Sequence, residues 1–489
     1  MLSGCLKVID CVVDHQDGHS YELLVLRLNW NADMPTQERP ELGTEYPKLS
    51  QQELDLLLDS HEVFVKGGRG GERIRLGMHD LSYLDFSGRD LSRSDFVGTV
   101  MRSCEFEETN LKDANLFAAD LRDAVLVRAN LDRADLRGAA LSGANLTLAS
   151  LIDCDMRDGV LVQSGEKGEL LPLNNNEPAA GMERAKVRGA DMSGAKVSDS
   201  VVVQTDLTDC NLKNAKFIRA NLSLSNLTGC NLEGTDFTDA NLSGAVFHGA
   251  TFISTTLDGA DLSGADLIGA MFDNVDFSKV DLSDAKIAKS LESVDISLKD
   301  VLAQHAEWVK TNGKKGKRAV FSKMDLTNQS VSGVNLSAAD FSLATMKGVD
   351  LSKSECLMSD FSYADLRGAN LSRADLRGSK FSRANLSGAN LVAVDLSDVM
   401  VASRAGGGEW RANLDHAKFR GALLNGATLK NADFSNCDFS EADLRNADFR
   451  GSLLTDAVFT DADMRGANFD NTDKRGAVGL PKTDYEDDE

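Results

Sequence analysis

At 489 residues the chain is too long for one ordinary globular core, and its net charge of −23 reflects 76 Asp and Glu against 53 Lys and Arg. No apolar run is long enough for a membrane-spanning helix. The opening "MLSGC" imitates the end of a lipoprotein signal, but no basic and apolar stretch precedes Cys5, so a cytoplasmic chain is expected.

Residues 1–49 contain "LKVIDCVVD" and "YELLVLRLNW" around Asp17-Gly18, which reads as a β-hairpin extension. A two-stranded hairpin is marginal alone and must lean on something. Residues 50–71 read as a capping helix with a Gly-rich lead-in. Ser50-Gln-Gln-Glu53 is a capping box, the helix covers 51–66, and Gly67 suits its C-cap. A first repeat module follows over 72–296, with apolar centres every five residues from Leu76 to Leu161 and from Val187 to Ile287. The phase shift between these blocks marks a loop, 162–183, rich in Gly and Asn and holding Pro172 and Pro178.

Residues 297–317 read as a second capping helix, over 298–311, with a basic lead-in. The second module, 318–475, has centres from Phe321 to Val401 and from Leu414 to Phe469, split by loop 402–410. The tail, 476–489, is acidic. It offers no second cap, so the last repeats would expose strand edges. Either residues 470–482 fold across them, or two chains meet end to end.

The repeat is clearest in "SDFSYADLRGANLSRADLRGSKFSRANLSGANL", residues 359–391. Its apolar centres are Phe361, Leu366, Leu371, Leu376, Phe381, Leu386 and Leu391. Asp or Asn precedes most centres, and a small residue stands one place earlier. A period of five fits neither a helix nor a half-buried strand. It suits a chain that turns a corner every five residues, with the small and central residues pointing in. Phe321, Phe341, Phe361 and Phe381 repeat every twenty residues, and of the 21 Phe only Phe64 and Phe117 miss a central position. Four pentapeptides therefore complete one circuit, and like rings stack.

These A(D/N)LXX repeats closely resemble the pentapeptide repeat family. The resemblance implies an all-β solenoid, a right-handed quadrilateral β-helix, here in two modules with short capping helices and a small N-terminal β-hairpin. It implies little about function. The best-understood bacterial members are DNA mimics that act on DNA gyrase, and end-to-end dimers occur in the family.

"HEVFVKGGRGGERIRL" and "HAEWVKTNGKKGKRAVF" share one plan: His61 or His305, then Phe64 or Trp308, then a Gly-rich basic loop. Arg73, Arg184, Arg318 and Arg411 each stand three residues before a block's first centre. Residues that recur at block starts read as caps for open backbone. A basic phosphate or nucleic-acid patch at Lys314, Lys315, Lys317 and Arg318 is the alternative reading of the second loop. Arg367 and Arg377 are candidate partner contacts, as is Trp410, since tryptophan is enriched at binding hot spots. Cys104, Cys154, Cys210, Cys230 and Cys437 occupy the small position and Cys356 a central one, and no CxxC pair suggests a metal or disulfide framework.

No nucleophile–base pair stands out, and no cofactor is implied, so an enzyme is not expected. Two readings remain. The first is a non-catalytic scaffold or protein–protein interaction module with a protein partner, no direct nucleic-acid contact, and a homodimer through the solenoid end as an option. The second is a DNA-mimicking modulator of DNA gyrase or topoisomerase. It needs a long face of one sign, which the basic residues Arg367, Arg373, Arg377, Lys380 and Arg383 interrupt.

Overall fold

The computed structural model describes residues 6–14, 20–28, 46–164, 170–172, 181–291, 293, 295, 297–401 and 408–480. Two compact units form: Met1–Asp266 with Phe272–Ala285, and Leu267–Met271 with Lys286–Glu489.

The organising element is a ladder of single bridges. The residue before each centre bridges its counterpart twenty residues on, in parallel: Arg75 with Asp95, Asp95 with Asn115, Asn115 with Asp135. One pentapeptide shows how the five backbone N–H groups are satisfied. Ala364 donates back to Phe361 O (3.0 Å), Asp365 to Ala344 O (3.0 Å), Leu366 to Asn385 O (2.8 Å) and Gly368 to Ser387 O (3.1 Å). The fifth, Arg367 N–H, has no carbonyl. It donates to the side chain of Asp365 (3.2 Å). The same bond joins Ser82 to Asp80, Thr208 to Asp206 and Ser372 to Asn370. This is why Asp or Asn precedes the centre.

The residue two places after the centre turns the corner with a left-handed backbone. Tyr83 (φ 69°), Arg93 (φ 61°), Asp123 (φ 59°) and Arg373 (φ 57°) all do so. At the small position Ser, Thr or Cys is accepted because it donates to the centre of the preceding tier. Thr109 Oγ1 reaches Phe86 O (2.8 Å), and Ser359 Oγ reaches Leu336 O (2.8 Å).

These corners correct the expected fold class. The all-β solenoid, a right-handed quadrilateral β-helix, is not what forms. Among the described residues there is no closed or curled sheet, and the repeats are isolated bridges separated by turns. Strands stay short for a physical reason: a positive φ at every fifth residue ends the extended backbone before a second bridge can join the first.

The ladder keeps its register across both insertions. Ala140 bridges Gly181 and Asn145 bridges Lys186, while Lys380 bridges Asn413. Met182, 1% exposed, is therefore already a centre, five residues ahead of the block start read from sequence. At the far end Val458 bridges Val478, beyond Phe469.

Outside the ladder, β1 (Leu6–Asp14) and β2 (Ser20–Leu28) form the antiparallel hairpin. β2 also runs parallel to β3 (Val160–Ser164), pairing Leu23 with Val160, and β3 pairs with β4 (Leu170–Pro172). The support that the hairpin needs is thus the first insertion, in a sheet ordered β1-β2-β3-β4. The other strands are β5 (Thr251–Ile253), β6 (Met271–Asp273), β7 (Lys289–Ser290), β8 (Met324–Asp325), β9 (Val399–Val401) and β10 (Gly408–Trp410). The helices are α1 (Gln51–Val65) and α2 (Leu298–Lys310).

The second unit's core is a continuous file of Leu, Phe and Ala. Phe341, Phe361 and Phe381 stack at 4.8 and 4.6 Å, nearly parallel. Phe361 is fully buried, so Phe361→Ala is expected to cost about 3–5 kcal/mol, read by chemical denaturation.

A pair of glycines checks the corner geometry. Gly388 (φ +65°) has open space where a Cβ would go, whereas at Gly138 (φ +70°) the Cβ would collide with the Gly159 carbonyl. Gly388→Ala should cost about 1–2 kcal/mol of left-handed strain, and Gly138→Ala clearly more. Equal losses of stability would contradict the assigned packing.

Candidate partner-binding site

β9 and β10 form a hairpin that leaves the ladder after Leu396 and returns before Leu414. Trp410 pairs with Val399, and Glu409 with Met400. Trp410 Nε1 donates to Gly378 O (3.0 Å). Gly378 is required there, because a Cβ would lie 2.8 Å from Val399 Cγ1 and 3.0 Å from Trp410 Cδ1. The Trp410 face of the hairpin is thus pinned to the ladder, although Trp410 keeps 44% of its surface exposed. Strand alternation turns Met400 and Glu409 the other way, and Met400 is 68% exposed.

Arg377 flanks this anchor. Its guanidinium forks onto Asp375 (Nε–Oδ1 2.9 Å, Nη2–Oδ2 2.7 Å) and lies 4.0 Å from Asp395. Burial alone would raise the Asp375 carboxyl, but the Arg377 fork and the Arg377 N–H together outweigh it and hold that carboxyl below its ordinary range. Met358, whose N–H donates to Arg377 O (3.0 Å), occupies the corner one tier before Gly378 and is 39% exposed.

Trp410 is thus bonded to the residue next to Arg377, and Met358 and Met400 are exposed side chains that the sequence reading missed. A methionine at a corner was the available signal, since corners otherwise favour Gly, Asn and charged residues. Arg367 is not offered in this way: it forks onto the buried Asp365, and only 15% of its side chain is exposed. Arg411 is exposed beside Trp410, and Lys314 and Lys315 are exposed in the loop after α2.

The two helices and the loops after them follow one plan. Ser50 and Glu53 complete the capping box of α1. His61 Nδ1 accepts the Ile74 N–H (3.1 Å), which leaves Nε2 protonated to donate to Ser92 O (3.1 Å). Its ring stacks on Phe64 at 5.7 Å, and Arg93 covers Phe64. The Arg73 guanidinium donates to the carbonyls of Arg93 and Ser94. In α2, His305 Nδ1 accepts the Ala319 N–H (3.0 Å) and stacks on Trp308 at 5.6 Å. Arg318 instead pairs with Asp340 at 3.5 Å. Arg184 stands at a corner after Met182 (φ 58°) and donates to Gln204 Oε1 (3.3 Å).

Among the described residues, Cys104, Cys154, Cys210, Cys230, Cys356 and Cys437 are buried free thiols. Cys104 and Cys210 donate to Leu81 O and Val187 O, and burial pushes both thiols up to about 12. Among the described residues no group of three or more His, Cys, Asp or Glu could hold a metal ion, and no helix is long and apolar enough to cross a membrane.

Pentapeptide repeats match this chain in eight copies, over residues 80–116, 119–158, 205–244, 245–284, 318–354, 359–398, 412–451 and 437–473. The chain belongs to the pentapeptide repeat family. No curated protein matches the sequence. Among solved structures, it is similar to trypsin-treated QnrB1, a plasmid-mediated fluoroquinolone resistance protein (16% identity, 49% of this chain, 97% of that one, TM-score 0.29). It is also similar to HetL, involved in heterocyst differentiation regulation in the cyanobacterium Nostoc sp. strain PCC 7120 (23% identity, 60% of this chain, 84% of that one, TM-score 0.15).

Burial lowers the pKa of both His61 and His305. Between their lowered folded values and the unfolded value near 6.5, the unfolded chain binds more protons. Stability from these groups is therefore full above about pH 6.5 and declines as pH falls below it. Thermal unfolding at pH 7.5 and pH 5 should show this loss. A His61→Asn, His305→Asn double variant should be less stable at both pH values but should lose much of the difference between them.

Proposed function

We propose that the chain is a protein–protein interaction module, with the β9–β10 hairpin as a principal contact. The observation that carries this is Met400, largely exposed on a hairpin whose opposite face Trp410 pins to the ladder. A flexible, polarizable side chain on a pre-ordered support suits recognition of an apolar protein surface. Arg377 and Arg411 supply a polar rim. In this reading the segments 50–71 and 297–317 are caps, and no cofactor is required.

A second reading, a DNA-mimicking modulator of DNA gyrase or topoisomerase, is supported by membership of the family and by the excess of acids over bases. Against it stands the use of those acids within the fold. Asp120, Asp135, Asp443, Asp448 and Asp463 are each forked by the Arg two residues later.

Affinity capture from the native organism tests the first reading. Met400→Glu is expected to abolish retention of the partner with unchanged thermal unfolding. Retention equal to that of the parent chain would remove the hairpin from the interface. A gyrase supercoiling assay separates the readings: the first expects no inhibition, and salt-sensitive inhibition would establish the second.

A further inference from the structure

The two caps differ at one place that packing does not explain. Aligning His61 with His305 sets Leu54 on Leu298, Leu58 on Leu302 and Phe64 on Trp308, so the inward positions are apolar in both helices. The same alignment sets Leu56 on Asp300 and Val63 on Glu307. Leu56 and Val63 lie two helical turns apart on one stripe, and they are 73% and 41% exposed. α2 carries acids at these two places, Asp300 in the first turn beside its N-cap Ser297 and Glu307 further on, where α1 displays aliphatic side chains. Capping does not need these residues, and leaving them in water gains nothing.

The surroundings select the occupant. Glu53, Asp55, Asp59 and Glu62 belong to α1, whose end adds Lys66, and the loop that packs on Val63 adds Arg69. Glu53 is held in the capping box, Asp55 accepts from Gln51, Arg89 pairs with Asp59 and Glu62, and Lys66 lies 3.7 Å from Glu62. The helix remains net negative, and the Asp59 side chain is 69% exposed. A second copy of α1 would set like charges against each other. We propose that the outward face of α1 docks an amphipathic helix of a partner protein, with Leu or a similar side chain over Leu56 and Val63 and Lys or Arg beside the acids. α1 belongs to the first unit and the β9–β10 hairpin to the second, and neither proposal depends on the other.

The test uses the full chain and two fluorescent synthetic amphipathic peptides, one of Leu and Lys and one of Leu and Glu. Anisotropy should show saturable binding of the Leu/Lys peptide only. Leu56→Asp with Val63→Glu changes two exposed positions, so the helix should still fold, which unfolding curves check. The double variant adds negative charge. Attraction by charge alone would therefore hold or strengthen binding, whereas docking on the apolar stripe predicts a loss of roughly tenfold or more. Trp410→Ala should leave this binding unchanged. Absence of Leu/Lys binding, equal binding of both peptides, or undiminished binding by the double variant would each overturn the proposal. So would light scattering that shows a dimer of the parent chain and a monomer of the double variant, since the occupant would then be a second copy.

Discussion

Each pentapeptide has five backbone N–H groups, and the ladder supplies carbonyls for four. Where Asp or Asn precedes the centre, the fifth, just after the centre, can donate to that side chain, as Arg367 does to Asp365 and Ser372 to Asn370. A backbone donor without an acceptor costs about 1–3 kcal/mol where it is buried, and the corner recurs throughout both units. Much of the chain's acidity is therefore part of its backbone bonding. Asp85 shows the electrostatic result: hydrogen bonds from Ser87 hold its carboxyl below the ordinary range.

The same corner explains why so few strands form. The left-handed residue two places after each centre allows a single bridge and then redirects the chain. Gly is the cheapest residue there, but Asn, Asp, Arg and even Tyr83 and Leu224 also adopt positive φ. Neighbouring tiers hold them, since the N–H of Tyr83 donates to Arg102 O and that of Leu224 to Ser243 O. Local strain is thus offset by bonds made far along the chain.

Much of this was legible in the sequence. The five-residue centres, the twenty-residue spacing of Phe341, Phe361 and Phe381, the capping box at Ser50 and the shared His–aromatic plan of the two helices are local or periodic signals. The rest was not local. The change of phase at 162–183 hid the register that Ala140 and Gly181 keep, because a bridge is indifferent to the length of chain between its partners. The pairing of β2 with β3 joins residues far apart in sequence. Arg367 looked available because the pattern points it outward, but Asp365 holds it. Periodicity also could not distinguish a sheet from a ladder of isolated bridges, which is where the expected fold class failed.

The most direct test of this account is amide hydrogen exchange at Ser435. Its N–H donates to Asp433 Oδ1 at 3.0 Å. Asp433→Asn keeps an oxygen acceptor, and Asp433→Ala removes it. Exchange measured on peptides spanning Ser435 should be unchanged in the Asn variant and clearly faster in the Ala variant. Equal exchange in the parent chain and both variants would contradict the claim that the acids before the centres complete the backbone bonding of the ladder.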